Sequence, residues 1–154
     1  MQIEENRMGE ISDAAGGYRQ LLDRYYAAEV RYIAAGGAAG DADFSEMAAC
    51  IHPDVVVRQG STVPYGGDWH GIDGVRRFFA AHSETWRELE LSEISHFEGK
   101  SGLCVTLRMR AIARRTQRPV DTRAAHRVTF DEGLIRDLLV FYLDPVGVRA
   151  AALG

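Results

Sequence analysis

Between Glu88 and Leu143 the chain repeats one pattern four times: an alternating run of apolar and polar residues, then a short segment built to turn. Leu103 to Arg115 is the longest run, with Leu107 and Met109 interleaved with Arg108 and Arg110. A period of two sends successive side chains to opposite faces of a strand. Gly99-Lys-Ser-Gly102, Thr116-Gln-Arg-Pro119 and Asp131-Glu-Gly133 separate the run from Glu88 to Glu98, the long run, Val120 to Phe130, and Leu134 to Leu143. Four strands joined by such short turns form a meander, and its apolar face must be covered.

The first half supplies the cover. Tyr18, Leu22, Tyr25, Tyr26, Glu29 and Ile33 recur at helical spacing over about residues 18–35, with Gln20, Asp23, Arg24 and Arg31 opposite and Gly36-Gly37 as a stop. A short helix over about 42–50 follows, capped by Asp41 or Asp43 and ending near His52-Pro53. Asp54 to Gln59 is a strand containing Val57; a third helix over about 72–85 puts Val75, Phe78, Phe79 and His82 on one side, with Trp86 extending that face. Between them, Pro64-Tyr-Gly-Gly-Asp-Trp-His-Gly71 sets Tyr65 and Trp69 on a glycine-hinged turn that can sit over a cavity. Residues 1–16 read as a flexible leader, residues 17–154 as one domain, and Val146 to Leu153 as an apolar tail with room for one helical turn. Helices before a long sheet give an α+β fold: a curved antiparallel or mixed sheet around three N-terminal helices, all on one concave face.

A formal charge of −4 gives no field to attract phosphates, which argues against nucleic acid as partner. No window approaches the roughly 18 apolar residues of a membrane span. Cys50 and Cys104 stand far apart beside apolar residues and read as buried free thiols, and the polar, acidic N-terminus lacks signal-peptide character, so the cytoplasm is the expected compartment. The histidines at 52, 70, 82, 96 and 126 lack the short spacings of a zinc site, and neither a nucleophile elbow nor a phosphate loop occurs; no metal or cofactor is expected.

The order of elements, with His52-Pro-Asp-Val-Val-Val57, the Pro64–Gly71 stretch and Phe130-Asp-Glu-Gly-Leu-Ile135, resembles the SnoaL-like branch of the nuclear transport factor 2-like superfamily over about residues 17–150. The resemblance implies a cone whose mouth is a pocket, and a superfamily containing polyketide cyclases, ketosteroid isomerases, scytalone dehydratase and limonene epoxide hydrolase. Its catalytic residues do not carry over. Where a ketosteroid-isomerase-like base would stand, this chain has Arg58 and Gln59; the epoxide-hydrolase positions hold Leu107-Arg-Met109 and Val140.

Polar residues on apolar faces are therefore the candidates. Alternation through Ala124, His126, Val128 and Phe130 turns His126 inward, where an imidazole can accept and return a proton. Glu29, seven positions from Leu22, is a carboxylate on an apolar stripe that must be paired or kept neutral. Tyr25, Tyr26 and Tyr142 offer phenol donors, and Val57, Tyr65, Trp69, Phe79, Met109 and Val140 complete the expected pocket. The reading is a cofactor-independent acid–base enzyme of cyclase, isomerase or dehydratase type, acting on a small, largely apolar metabolite with a carbonyl or hydroxyl. The alternative is a non-catalytic binding or interaction module. Leu139, Phe141 and Leu143 on the outer sheet face predict a homodimer.

Overall fold

The alternating runs of the second half become the larger part of one six-stranded sheet. The computed structural model describes the backbone of residues 2–154 and the side chains of residues 16–154, and the expected leader falls almost entirely outside that side-chain range. In chain order the elements are α1 (Gln2–Ala34), α2 (Ser45–Ala48), β1 (Ile51–Gln59), β2 (Gly67–His70), α3 (Gly71–Thr85), β3 (Trp86–Glu98), β4 (Gly102–Ala113), β5 (Pro119–Asp131), β6 (Leu134–Tyr142) and α4 (Pro145–Leu153).

The strand order is β2-β1-β6-β5-β4-β3. β3 to β6 form the expected antiparallel meander, while β1 runs parallel to β6 and makes the sheet mixed. On β4, Leu103, Val105, Leu107, Met109, Ala111 and Ala113 are all buried, and the residues between them face outward. Glu132 and Gly133, both at positive φ, form the two-residue turn between β5 and β6, which suits the twist of the flanking strands. A bulge between Ser92 and Ser95, with Glu93 at φ 51°, bends β3.

The helical stripe on α1 buries Leu22, Tyr25, Tyr26, Glu29, Tyr32 and Ile33. α1 packs against β3, and α3 packs against β1. Tyr25, Tyr32, Phe44 and Phe79 meet edge-on or tilted, with ring centroids near 6 Å, where the two helices and α2 converge.

Several boundaries differ from those expected. His52 and Pro53 belong to β1 rather than to the end of α2; the β1–β6 register breaks between Ile51 and Val56, so Pro53 withholds no ladder hydrogen bond. The glycine-hinged turn contains a short strand, β2, paired with Val56 to Gln59. Trp86 does not extend α3: it opens β3, fully buried. The apolar tail is a nine-residue helix, with Pro145 in its first turn and Val148 and Ala152 in the core. Cys50 is a buried free thiol as expected, but Cys104 lies exposed, because alternation along β4 turns Leu103 and Val105 inward and Cys104 out.

Candidate functional site

Three ionisable side chains meet inside the cone, Glu29 and His82 buried and His126 half-buried. Glu29 projects from the apolar stripe of α1, and burial pushes its carboxyl up to about 8. His82 sits in the last turn of α3, and burial pushes its imidazole down to about 3. Its Nδ1 stands 3.9 Å from Glu29 Oε1 and has no hydrogen-bond partner. That separation suits an ion pair, yet both shifts point to neutral forms. Charging both would desolvate two ions without a hydrogen bond between them, so a neutral acid facing a neutral imidazole is the favoured state near pH 7.

His126 arrives from the sheet, paired with Val105 on β4 and Val140 on β6, and its position in the register turns it inward. Burial pushes it down to about 4. Tyr26 Oη lies 2.8 Å from His126 Nδ1. Burial first, and then the neighbouring Glu29, raise the Tyr26 phenol well above its ordinary value, so it keeps its proton, and the direction of the bond to Nδ1 follows the tautomer of His126. With the phenol donating, the ring hydrogen of His126 stands on Nε2.

Glu29, His82 and His126 line one cavity of about 30 Å³, together with Gln59, Leu89, Leu91, Leu107, Met109, Ala124 and Tyr142. A water needs at least about 10–15 Å³ measured this way, so the hollow is water-sized. A larger hollow of about 580 Å³ lies among Glu88, Glu90, Arg110 and Asp121. None of these three groups borders it, and its charges are those of a solvated surface.

Of the residues expected around a pocket, Met109 and Tyr142 line the cavity directly. Tyr26 reaches it through His126, and Tyr65 through a 2.8 Å hydrogen bond to Tyr142. Tyr25, Val57, Phe79 and Val140 belong to the surrounding core. Trp69 is half-buried, donating its indole N–H to the Tyr65 carbonyl at 3.1 Å and packing on Phe78. Two lining residues went unrecognised as functional. His82 shares an apolar helix face with Val75, Phe78 and Phe79; Gln59 follows Val55 and Val57 in strict alternation. In each case the polar residue on an apolar face was the available signal.

The other histidines serve elsewhere. His52 Nδ1 accepts from the Asp54 amide, and His96 Nε2 stands 3.4 Å from Asp23 of α1. Among the described residues no three His, Cys, Asp or Glu side chains are gathered as metal ligands. No described helix is long and apolar enough to cross a membrane.

The six-stranded mixed sheet with its helices has the cone fold of the nuclear transport factor 2-like proteins. A family model for the SnoaL-like domain matches residues 30–138, and the chain belongs to that family. Among solved structures, an NTF2-like protein of unknown function from Burkholderia pseudomallei K96243 is similar with TM-score 0.73 and 18% identity, covering 90% of this chain and 98% of that one. TerC, co-crystallised with polyporic acid, gives TM-score 0.73 at 16% identity, covering 90% and 99%. A candidate polyketide cyclase from Xanthomonas campestris pv. campestris gives 0.68 at 14% identity, covering 84% and 92%. At these identities the likeness is one of fold. No curated protein matches the sequence.

Proposed function

We propose that the chain is a cofactor-independent acid–base enzyme of the cyclase, isomerase or dehydratase kind, acting on a small, largely apolar metabolite that carries a carbonyl or hydroxyl. The observation that carries this reading is that Glu29 and His126, from a helix and a strand far apart in sequence, border the same buried cavity. Near neutral pH, burial keeps Glu29 protonated, a general acid, and keeps both imidazoles neutral. Because Tyr26 occupies His126 Nδ1, His82 Nδ1 is the nitrogen free to act as base.

For a dehydration, His82 takes the proton from the carbon beside the carbonyl, the C–O bond of the neighbouring hydroxyl breaks, and Glu29 protonates the departing oxygen. A carbon–carbon double bond and water result. His82 is left protonated beside an ionised Glu29, and proton transfer between them restores the starting state. For an isomerisation, the proton returns to a different carbon. His126, held by Tyr26, presents Nε2–H as a fixed donor. The second reading, a non-catalytic binding module, is favoured by the cavity volume of about 30 Å³, which a metabolite must enlarge by displacing side chains.

The test is exchange of the protons beside the carbonyl of 4-hydroxybutan-2-one in D2O, followed by NMR. Exchange faster than in buffer is expected, falling roughly 100-fold in His82→Gln and in His126→Gln, whereas Glu29→Gln should slow by a similar factor the loss of water that yields butenone. Binding without exchange would support the binding module and reject the enzyme.

A further inference from the structure

Three proton-bearing side chains stand at intervals of three along α1, and each meets a histidine from another element. Asp23 Oδ1 is 3.4 Å from His96 Nε2 of β3, Tyr26 Oη is 2.8 Å from His126 Nδ1 of β5, and Glu29 Oε1 is 3.9 Å from His82 Nδ1 of α3. Each step of three turns back about 60° round the helix, so the series starts at the solvent edge, passes beneath the strands and ends against α3. Asp23 is exposed, whereas Tyr26 and Glu29 are buried.

The sheet holds two of the histidines in one line. His96 pairs with Val105, and Val105 with His126, so both imidazoles lie on the inner face in one cross-strand row, their backbones roughly 10 Å apart. His96 Nε2 is buried without a hydrogen bond, and the Arg19–Glu98 ion pair flanks this outer end. Asp23, one turn before Tyr26, is close enough for its charge to raise the phenol. At the inner end, His126, Glu29 and His82 border the same water-sized cavity, where a single water can bridge His126 and Glu29.

We propose that Asp23, Tyr26 and His126 form a proton path between solvent and the Glu29–His82 pair. Its two states are the two tautomers of His126. With hydrogen on Nε2, Tyr26 donates to Nδ1. When Nε2 gives its proton through the cavity water to an ionised Glu29, Nδ1 takes the Tyr26 proton, and Tyr26 takes one from the Asp23 carboxyl, which solvent has protonated. One proton has then entered, and the His126 hydrogen stands on Nδ1. The reverse order carries one proton out and restores the first tautomer. Burial opposes both an imidazolium at His126 and a phenolate at Tyr26, so the protons move together and neither group is left charged. The use of the path rests on the acid–base reading, since it lets a proton taken from carbon by His82 exchange with solvent. Its existence does not, because Glu29 titrates with no substrate bound.

The experiment therefore needs no substrate. The whole chain is held where Glu29 is half ionised, at about 8; a caged acid releases protons in a laser flash, and time-resolved infrared follows the carboxyl stretch that Glu29→Gln lacks. Each variant is taken at its own midpoint. Protonation of Glu29 should be roughly 100-fold or more slower in Tyr26→Phe and in His126→Gln than in wild type, with Asp23→Asn between, because water still reaches its end of the path. Either of the first two decides if the other does not fold. A variant that merely loosens the fold admits water and speeds the signal, so slowing is specific to the path. An unchanged or faster signal in the folded variants overturns it, as does a wild-type spectrum without that stretch. Proton exchange of 4-hydroxybutan-2-one in D2O tests the enzyme separately. Slowed infrared signals with no exchange in wild type leave the path standing and reject the acid–base enzyme; exchange in wild type with unslowed infrared signals keeps the enzyme and rejects the path.

Discussion

Glu29 Oε1 and His82 Nδ1 face one another across 3.9 Å, one from α1 and one from α3, and the histidine nitrogen has no other partner. Each is held neutral by burial, and this links stability to pH from both sides. Glu29 has a folded value near 8 against an ordinary 4.5. Its contribution is therefore fully present below about pH 4.5 and is lost as pH rises towards 8, because the unfolded chain ionises first. Glu29→Gln keeps the shape and removes the titration. At pH 9 the variant should be more stable than wild type by roughly 2–4 kcal/mol, and the two should converge below pH 5. Urea unfolding across this range checks it, and parallel curves would refute it.

The imidazoles act in the opposite sense. His82 and His126 titrate near 3 and 4 in the fold, against an ordinary 6.5. Their contribution is present above pH 6.5 and is lost as pH falls through the folded values, since the unfolded chain takes up the protons first. The double variant His82→Gln, His126→Gln should thus lose much of the acid limb between pH 6.5 and 4, although its stability at pH 7 is lower. Thermal melts at several pH values give the comparison. An acid limb equal to that of wild type would place the responsible protons on other groups.

Much of this arrangement is legible in the residues. Alternation along β4 and β5 fixes which side chains face inward, so His126 could be placed from Ala124, Val128 and Phe130 alone; the 3.6-residue period did the same for Glu29 on α1. His82 obeyed that period too, but a histidine among Val75, Phe78 and Phe79 reads as core until a second element brings a carboxylate beside it. Long-range approach is what a linear pattern lacks: Tyr65, in the turn before β2, meets Tyr142 of β6, and Tyr26 of α1 meets His126 of β5, only when the chain is folded. Trp86 illustrates the boundary problem, since an apolar residue after an amphipathic helix satisfies both the last turn of the helix and the first position of a buried strand.

The outer face of the sheet carries a further expectation. Phe141, Leu143 and Val146 are 56%, 77% and 70% exposed at the end of β6 and the start of α4, beside Arg123, which pairs with Glu93 at 2.6 Å. We propose that a second copy covers this apolar edge. Sedimentation at micromolar concentration should give twice the 17.0 kDa of one chain. Phe141→Glu should shift the protein to monomer with little change in fold, because the side chain it replaces already stands in solvent. A wild-type monomer would refute the proposal.

Gly37 sets how closely the end of α1 approaches α3, and so bears on the Glu29–His82 distance. Its φ is +62°, and a Cβ built there would lie 2.2 Å from the Cβ of Ser83, the residue after His82. The same loop ties the two helices by the Ala38 amide, 3.3 Å from Ser83 Oγ. Alanine at this position meets both a left-handed backbone and a backbone-anchored neighbour that cannot swing away. Gly37→Ala should therefore cost roughly 2 kcal/mol or more, and relief of the clash requires α3 to move outward from α1. That displacement enlarges the space between Glu29 and His82. With more room for water, the Glu29 carboxyl should titrate closer to its ordinary value, so the loss of stability between pH 4.5 and 8 should become shallower than in wild type. Gly37→Ala and Ser83→Gly combined should restore the pH slope but not the full melting temperature, since removing the Ser83 side chain vacates the position the new methyl group needs while the left-handed backbone at position 37 stays strained. A variant that melts like wild type would show that this approach is not a fixed contact, and a destabilised variant with an unaltered pH slope would separate Gly37 from the site.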